Sequence, residues 1–306
     1  MLSRAADSVF WMARYLERTD NLLRLLRTDY IAAQEELLDY DWQLLIDTFG
    51  DEPGEKKLIV NSYREALQHL VLHRQHDFSI FTNIVRVREN ARSVQDYITK
   101  ELWQSLNDFF HTIRNPETEN LILHNDPVTA LDILLRESII FYGTVDTTMS
   151  RGEGYTFLNL GKYIERCLQT LDILEFKRKQ MANAESEAVH WKYLLYALSG
   201  YEFHTKAYKN SLHDKEVIHQ VLYNAQFPHS VIYSLAQMDR YFQRLNDFSQ
   251  PEHFREIDGI IKKMIKSVQP YQKKESVAVM DQLIPDLRLQ FANLNQRLAT
   301  LYFGNS

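Results

Sequence analysis

The sequence predicts an all-α protein folded as a single bundle of about 10–12 helices. Gly contributes only 9 and Pro only 7 of the 306 residues, less than half of the roughly 12% in an average protein, whereas a β-sandwich or barrel of this length needs many more turns. Apolar residues recur three, four and seven positions apart along most of the chain, which is the spacing of one helix face. We find no convincing run with the alternating pattern of a half-buried strand.

The first predicted helix begins at Ser3, a favourable N-cap residue. Its apolar face is formed by Val9, Met12, Leu16, Leu23, Leu26 and Tyr30. Residues 51–54 (DEPG) break the pattern, and Asn115-Pro116 ends a later helix because the residue before Pro disfavours the α conformation. Pro127 stands at the start of another helix, where its missing N–H costs nothing. After the first helix, the predicted helical segments are 57–75, 80–113 (one long helix or two in line), 127–140, 155–182, 185–209, 213–224, 229–247, 252–268 and 275–302.

Residues 143–154 are predicted to form the main loop in the middle of the chain. Its glycines would allow close backbone approach, and the helix that follows would offer free N–H groups to an anion. The alternative, which we favour, is a capped helix start with Thr148 or Ser150 as the cap and Glu153 in the first turn.

A short motif occurs twice in the chain, as residues 14–18 (RYLER) and 162–166 (KYIER). An amide residue follows each copy, Asn21 in the first and Gln169 in the second. Such self-similarity indicates duplicated units, so we predict an approximate two-fold internal repeat with halves 1–148 and 149–306.

On a helix, the charged residues of each motif share one stripe, because positions i, i+3, i+4 and i+7 lie on the same face. Three interpretations are open: exposed ion pairs worth little, a partly buried network, or arginines presented to an anionic ligand. For the network, Arg88, Glu89 and Arg92 are the expected partners, since Arg pairs with carboxylates in a bidentate manner.

The chain resembles the alpha-E domain family, an all-helical family with a Glu-Arg motif. The resemblance is carried, in order, by residues 1–8 (MLSRAADS) with Trp11 and 14–18, by 88–93 (RENARS) with Trp103 and Asn107, and by 150–154 (SRGEG) with 157–158, 160–161 and 165–166. It implies a bacterial, cytoplasmic protein encoded with, or fused to, a circularly permuted ATP-grasp ligase, often near a transglutaminase-like protein. The family has no established catalytic residue to transfer to this chain.

We therefore expect a non-catalytic binding or scaffold partner of an ATP-grasp peptide or amide ligase. One alternative is an enzyme acting on a peptide-like or anionic substrate, with Glu17 and Glu165 as acid–base groups. Another is a ferritin-like di-metal oxidoreductase. Candidate residues of the polar network or ligand site are Arg4, Arg14, Glu17, Arg18, Arg88, Glu89, Asn90, Arg92, Arg151, Glu165 and Arg166.

Little in the sequence supports a nucleic-acid site, a membrane span, a metal site or a reactive cysteine. The net charge of −6 argues against a nucleic-acid partner, and charges spread through the first 30 residues leave no signal peptide or membrane span. Metal-like spacings occur at Glu187/His190, Glu216/His219 and His69/His73/His76, but chance matches and a polar helix end explain them, so we expect no metal and no cofactor. The single cysteine, Cys167, is expected to be a packed residue.

Overall fold

The computed structural model describes residues 1–35, 41–50, 59–181, 187–209, 211–269 and 279–304. These residues form 14 α-helices and no strand, so the predicted fold class is confirmed. The helices are α1 (Ser3–Gln34), α2 (Trp42–Phe49), α3 (Tyr63–Leu67), α4 (Ile80–Ser93), α5 (Lys100–Arg114), α6 (Pro116–His124), α7 (Pro127–Thr148), α8 (Glu153–Met181), α9 (Glu187–Ala197), α10 (Tyr201–Ala207), α11 (Asp214–Tyr223), α12 (Val231–Gln243), α13 (Pro251–Val268) and α14 (Met280–Leu298).

Helices α1 and α8 pack extensively on each other. Helix α4 lies beside α1, and α12 lies beside α8. Helices α7 and α14 also contact this central pair. One continuous set of buried apolar side chains fills the space between the elements, so the Glu-Arg motifs of α1 and α8 lie in the centre of the bundle.

The close approach of α1 and α8 depends on Gly161. A Cβ atom at this position would lie 2.3 Å from the carbonyl oxygen of Phe10 and 3.1 Å from its carbonyl carbon. Atoms cannot come this close, so any side chain at position 161 would push the two helices apart.

There are more helices than the 10–12 expected, because several are too short to show a clear period. The predicted helix 185–209 divides into α9 and α10 at Ser199, which has a positive φ of 53°. The segment 80–113 is two helices, α4 and α5, separated by a 3-10 turn at Gln95–Tyr97. Asn115 ends α5 and also caps the next helix. Its side chain accepts a hydrogen bond from the Glu117 N–H and caps α6.

Two details of the helix starts differ from expectation. Leu2, not Ser3, is the N-cap of α1, and no side chain caps that end. The predicted loop 143–154 is mostly helix, since α7 continues to Thr148 and only 149–152 connect it to α8. Thr148 therefore belongs to the end of α7 and does not cap α8, while Glu153 does lie in the first turn of α8. The segments 51–54 and 275–278 lie outside the described residues, as does the beginning of the predicted segment 57–75.

None of the helices in the described ranges combines the length and the apolar character needed to cross a membrane.

Candidate functional site: the buried Glu-Arg network

The two Glu-Arg motifs exchange partners across the α1–α8 contact. Arg166 on α8 donates to both carboxylate oxygens of Glu17 on α1, at 2.5 Å from Nε and 3.1 Å from Nη2. In the opposite direction, the Nε atoms of Arg14 and Arg18 each lie 2.8 Å from an oxygen of Glu165. Glu17 is 0% and Glu165 1% exposed. The motifs therefore form a buried network between helices and not a row of surface ion pairs.

A neighbouring amide side chain donates a further hydrogen bond to each carboxylate. Asn21 donates to Glu17 Oε1 at 3.2 Å, and Gln169 donates to Glu165 Oε1 at 3.3 Å. Each amide lies four residues after its Glu, one turn further along the same helix face. The stripe seen in the sequence thus supplies hydrogen bonds within each helix as well as ion pairs between them.

Two further helices contribute partners that the sequence did not reveal. The hydroxyl of Tyr142 on α7 donates to Glu17 Oε2 at 2.5 Å. Asn295 on α14 accepts a hydrogen bond from Arg14 Nη1 at 3.2 Å. Both lie on helices remote in sequence, and no local motif marks either of them.

The arginines keep both carboxyl groups ionised. Burial by itself raises the pKa of Glu17, but the charge and hydrogen bonds of Arg166 outweigh it and lower that pKa to about 2. The pKa of Glu165 is likewise lowered to about 2, since Arg18 and Arg14 outweigh its burial. A carboxylate with so low a pKa is a poor proton donor or acceptor near neutral pH.

Acid should therefore weaken the fold. In the unfolded state the two carboxyl groups take up protons near the ordinary Glu pKa of 4.5. In the native network they take up protons only near their lowered pKa of about 2. The contribution of these groups is fully present above pH 4.5, and it is lost as the pH falls towards 2. Urea denaturation at several pH values should show the free energy of unfolding falling in this window, with a shallower fall for Glu165→Gln. An unchanged slope in that variant would contradict the prediction.

A second buried ion pair joins the same two helices. Lys177 on α8 donates to Asp29 on α1 at 2.5 Å, and to Gln180 at 3.0 Å. The side chains of Lys177 and Asp29 are both 0% exposed. Sliding α8 along α1 would separate the pair and leave two unpaired buried charges, which is strongly destabilising. This pair therefore also fixes the position of α8 along α1.

Lys162, the counterpart of Arg14 in the second motif, has a different environment. Its Nζ lies 4.0 Å from the centre of the Tyr142 ring, and within the described residues it makes no hydrogen bond or ion pair. Burial, and then repulsion by Arg166, lower its pKa to about 8.

Lys162 should make stability depend on pH in the alkaline range. Between pH 8 and 10.5 the unfolded lysine holds a proton that the native one has released, so stability rises with pH. We expect the wild type to gain about 2 kcal/mol relative to Lys162→Met between pH 7 and pH 10. Paired urea titrations measure this. Lys263→Met, at an exposed position on α13, is the control, and equal behaviour of the two variants would refute the expectation.

A cavity of about 320 Å³ opens beside Glu165. Its polar lining includes Arg14, Arg18, Asp172 and, from α14, Arg288. Arg288 pairs with Asp172 at 2.6 Å and with Glu175 at 2.7 Å. Its apolar lining is formed by Leu22, Phe49, Phe78 and Leu168. The cavity therefore combines guanidinium groups with a hydrophobic surface, and no local motif marks Arg288 as one of its lining residues.

The candidate residues on α4 do not join the network. Arg88 donates to Asn107 at 2.8 Å, and Arg92 lies 3.8 Å from the exposed Glu89. The expectation that they pair with Glu17 or Glu165 is wrong. The apolar residues of α4, Ile84 and Val87 among them, occupy its buried face, so the charged positions turn away from the centre. Asn90 is on the same helix and is half-buried.

The remaining two candidates lie near the N-terminal ends of α1 and α8. Arg4 is exposed. Arg151 donates to the carbonyl oxygens of Val145 and Asp146 and lies 4.2 Å from the centre of the Tyr155 ring. Neither takes part in the pairs around Glu17 and Glu165.

The three histidine candidates lie close to one another, and the cysteine candidate is buried. The rings of His69 and His76 are 4.1 Å apart, with His73 5.5 and 6.0 Å away. Within the ranges that the structure describes, no three His, Cys, Asp or Glu residues are arranged to hold a metal. Cys167 is 1% exposed, and burial raises the pKa of its thiol, so it is a packing residue.

Comparison with known proteins agrees with this description. A family model called Alpha-E, described as a predicted alpha-helical domain with a conserved ER motif, matches residues 1–303. Two curated relatives, uncharacterized proteins of Mycobacterium bovis and Mycobacterium tuberculosis, are each 21% identical to the chain over 259 residues. The match covers 77% of this chain but 29% of each relative, so the chain spans less than a third of their length. No solved structure matches the chain.

Proposed function

Because the chain belongs to the Alpha-E family, we propose that it is a non-catalytic binding or scaffold partner of a circularly permuted ATP-grasp ligase that forms peptide or amide bonds. We propose a transglutaminase-like protein as a second member of the same system. The family resemblance suggests these partners and a site of action in the bacterial cytoplasm.

The state of the two Glu residues supports a binding role over a catalytic one. Glu17 and Glu165 are the only acidic residues of the two motifs, and both are held as carboxylates with a pKa of about 2. An acid–base catalyst needs a pKa nearer the working pH. Their carboxylate oxygens also accept hydrogen bonds from Arg, Tyr and amide groups, so both side chains are engaged in contacts that stabilise the fold. This observation carries the non-catalytic part of the proposal, and the family carries the choice of partner.

The lengths of the relatives are consistent with this role. In the two mycobacterial proteins, about 71% of the sequence lies outside the match, since the match covers 29% of each. A segment similar to this chain therefore forms part of a larger polypeptide in these two relatives.

We also propose that residues 1–148 and 149–306 are related halves. The reciprocal exchange supports this: Glu17 pairs with Arg166, and the equivalent Glu165 pairs with Arg18. Flanking helices also correspond, because α4 beside α1 and α12 beside α8 both begin at a capping Ser, Ser79 and Ser230. The ion pairs then keep the halves in register.

Co-expression with a circularly permuted ATP-grasp ligase of the same organism tests the proposal. We expect the two proteins to co-purify, and ATP-dependent ligation to require this chain. Full ligation without the chain, together with failure of the proteins to associate, would refute a partner role. Turnover by this chain alone, lost in a folded Glu17→Gln variant, would favour the enzyme alternative.

A further inference from the structure

The cavity beside Glu165 contains an arginine with unused hydrogen-bond donors. Arg18 donates to Glu165 through Nε, and its two terminal nitrogens make no hydrogen bond to any residue in the described ranges. Its side chain is 20% exposed. The guanidinium of Arg18 is thus fixed at one edge by Glu165, while the opposite edge is available to a ligand.

The other two arginines of the cavity are more fully engaged. Arg14 is bonded to Glu165 and Asn295, and its guanidinium lies over the Trp11 ring at 4.6 Å. Arg288 is paired with Asp172 and Glu175 through its two terminal nitrogens. Arg18 is therefore the residue placed to recognise an incoming anion.

Charge and shape narrow the class of ligand. Among the lining residues, Arg288 is already paired with Asp172 and with Glu175, which lies outside the lining, so the positive group left to meet an anion is the free edge of Arg18. A guanidinium with a free edge suits a planar carboxylate in a bidentate arrangement. The volume of about 320 Å³ is near the lower end of small-molecule sites.

The apolar lining of the cavity indicates a second feature of the ligand, a hydrophobic group. Leu22, Phe49, Phe78 and Leu168 border the cavity, so a carboxylate ligand would gain affinity by burying a hydrophobic group beside its charge. The C-terminus of a peptide ending in an apolar residue has both features close together.

We propose that this cavity binds the C-terminal carboxylate of a peptide, with Arg18 holding the carboxylate and the apolar lining receiving the last side chain. The peptide class rests on the proposed function, because it is a substrate or product of peptide ligation. The binding itself does not require the ligase.

Isothermal titration calorimetry on the full chain tests the proposal with acetyl-alanyl-leucine, its C-terminal carboxamide and inorganic phosphate. We expect the acid to bind at least about tenfold more tightly than the amide, which lacks the charge, and more tightly than phosphate. Arg18→Gln should weaken binding of the acid by a similar factor. Arg86→Gln is the matched control, since Arg86 also lies over the Tyr15 ring, at 5.5 Å compared with 5.7 Å for Arg18, but does not line the cavity.

Leu168→Trp is a second variant that keeps Arg18 and fills the cavity. It should abolish binding even if Arg18→Gln fails to fold. No binding of the acid, equal binding of acid and amide, preference for phosphate, or unchanged affinity in Leu168→Trp would overturn the proposal. If the chain still co-purifies with the ligase in that case, the proposed partner role stands and only the ligand assignment falls. If the peptide binds but no ligase complex forms, the ligand assignment stands and the proposed partner role falls.

Discussion

Replacing Gly161 with Ala is expected to destabilise the protein by about 3 kcal/mol, at the upper end of the cost of overpacking. The new methyl group would meet the Phe10 carbonyl oxygen at 2.3 Å. Backbone atoms cannot rotate away as a flexible side chain can, so α1 and α8 would have to separate. That shift would also lengthen the ion pairs at Glu17 and Glu165, which join the same helices. The gain of about 1 kcal/mol from a better helix former is too small to compensate.

Gly143→Ala provides the matched control with the opposite sign. Gly143 lies inside α7, and a Cβ there would meet no atom within 4 Å. We expect this variant to be more stable by about 0.5–1 kcal/mol, because Ala loses less conformational entropy in a helix. Urea denaturation of the two variants measures both effects. If Gly161→Ala also proved neutral or stabilising, the close α1–α8 contact would not be a constraint on the fold.

Replacing Glu17 with Gln is expected to cost about 3–5 kcal/mol, the range for breaking a buried ion pair. Arg166 is 9% exposed and would keep its charge without a carboxylate beside it. The substituted amide also offers two N–H donors where Arg166, Tyr142 and Asn21 all donate. The size of the side chain barely changes, so the loss reports on charge and hydrogen bonding and not on packing.

Glu89→Gln makes the same chemical change outside the network. Glu89 is 54% exposed and pairs with its neighbours Arg88 and Arg92 on α4, so we expect its replacement to destabilise the protein by less than about 1 kcal/mol. A double-mutant cycle with Glu17→Gln and Arg166→Met should show strong coupling, because the second change removes the stranded charge. Additive effects, or equal costs at Glu17 and Glu89, would show that the ion pair is not a major stabilising contact.

Much of the local structure follows from residue spacing. The period of the apolar residues marks most of the long helices, and Pro127 marks the start of α7. The stripe of Arg14, Glu17, Arg18 and Asn21 likewise follows from helix geometry alone. Spacing was less informative for α2, α6 and α10, each of at most nine residues, because so few turns do not establish a period.

The sequence does not show which residues face a motif from other helices. It led us to choose Arg88 and Arg92 as partners because of their chemistry, yet the apolar face of α4 turns them outward. The actual additions, Tyr142, Asn295 and Arg288, carry no local signal. Their roles come from the way α7 and α14 lie against the central helices.

By itself, then, the sequence determined an all-helical chain whose two Glu-Arg stripes each lie on one face of a long helix, since neighbours in sequence decide helix formation and facing. Tertiary packing decided that Glu17 meets Arg166 and that Glu165 meets Arg14 and Arg18. It also placed Arg18 at the edge of a cavity. The physical reason is that an ion pair between helices depends on their separation and register, which are set by contacts such as Gly161 against Phe10 and by the summed burial of apolar faces far apart in the chain.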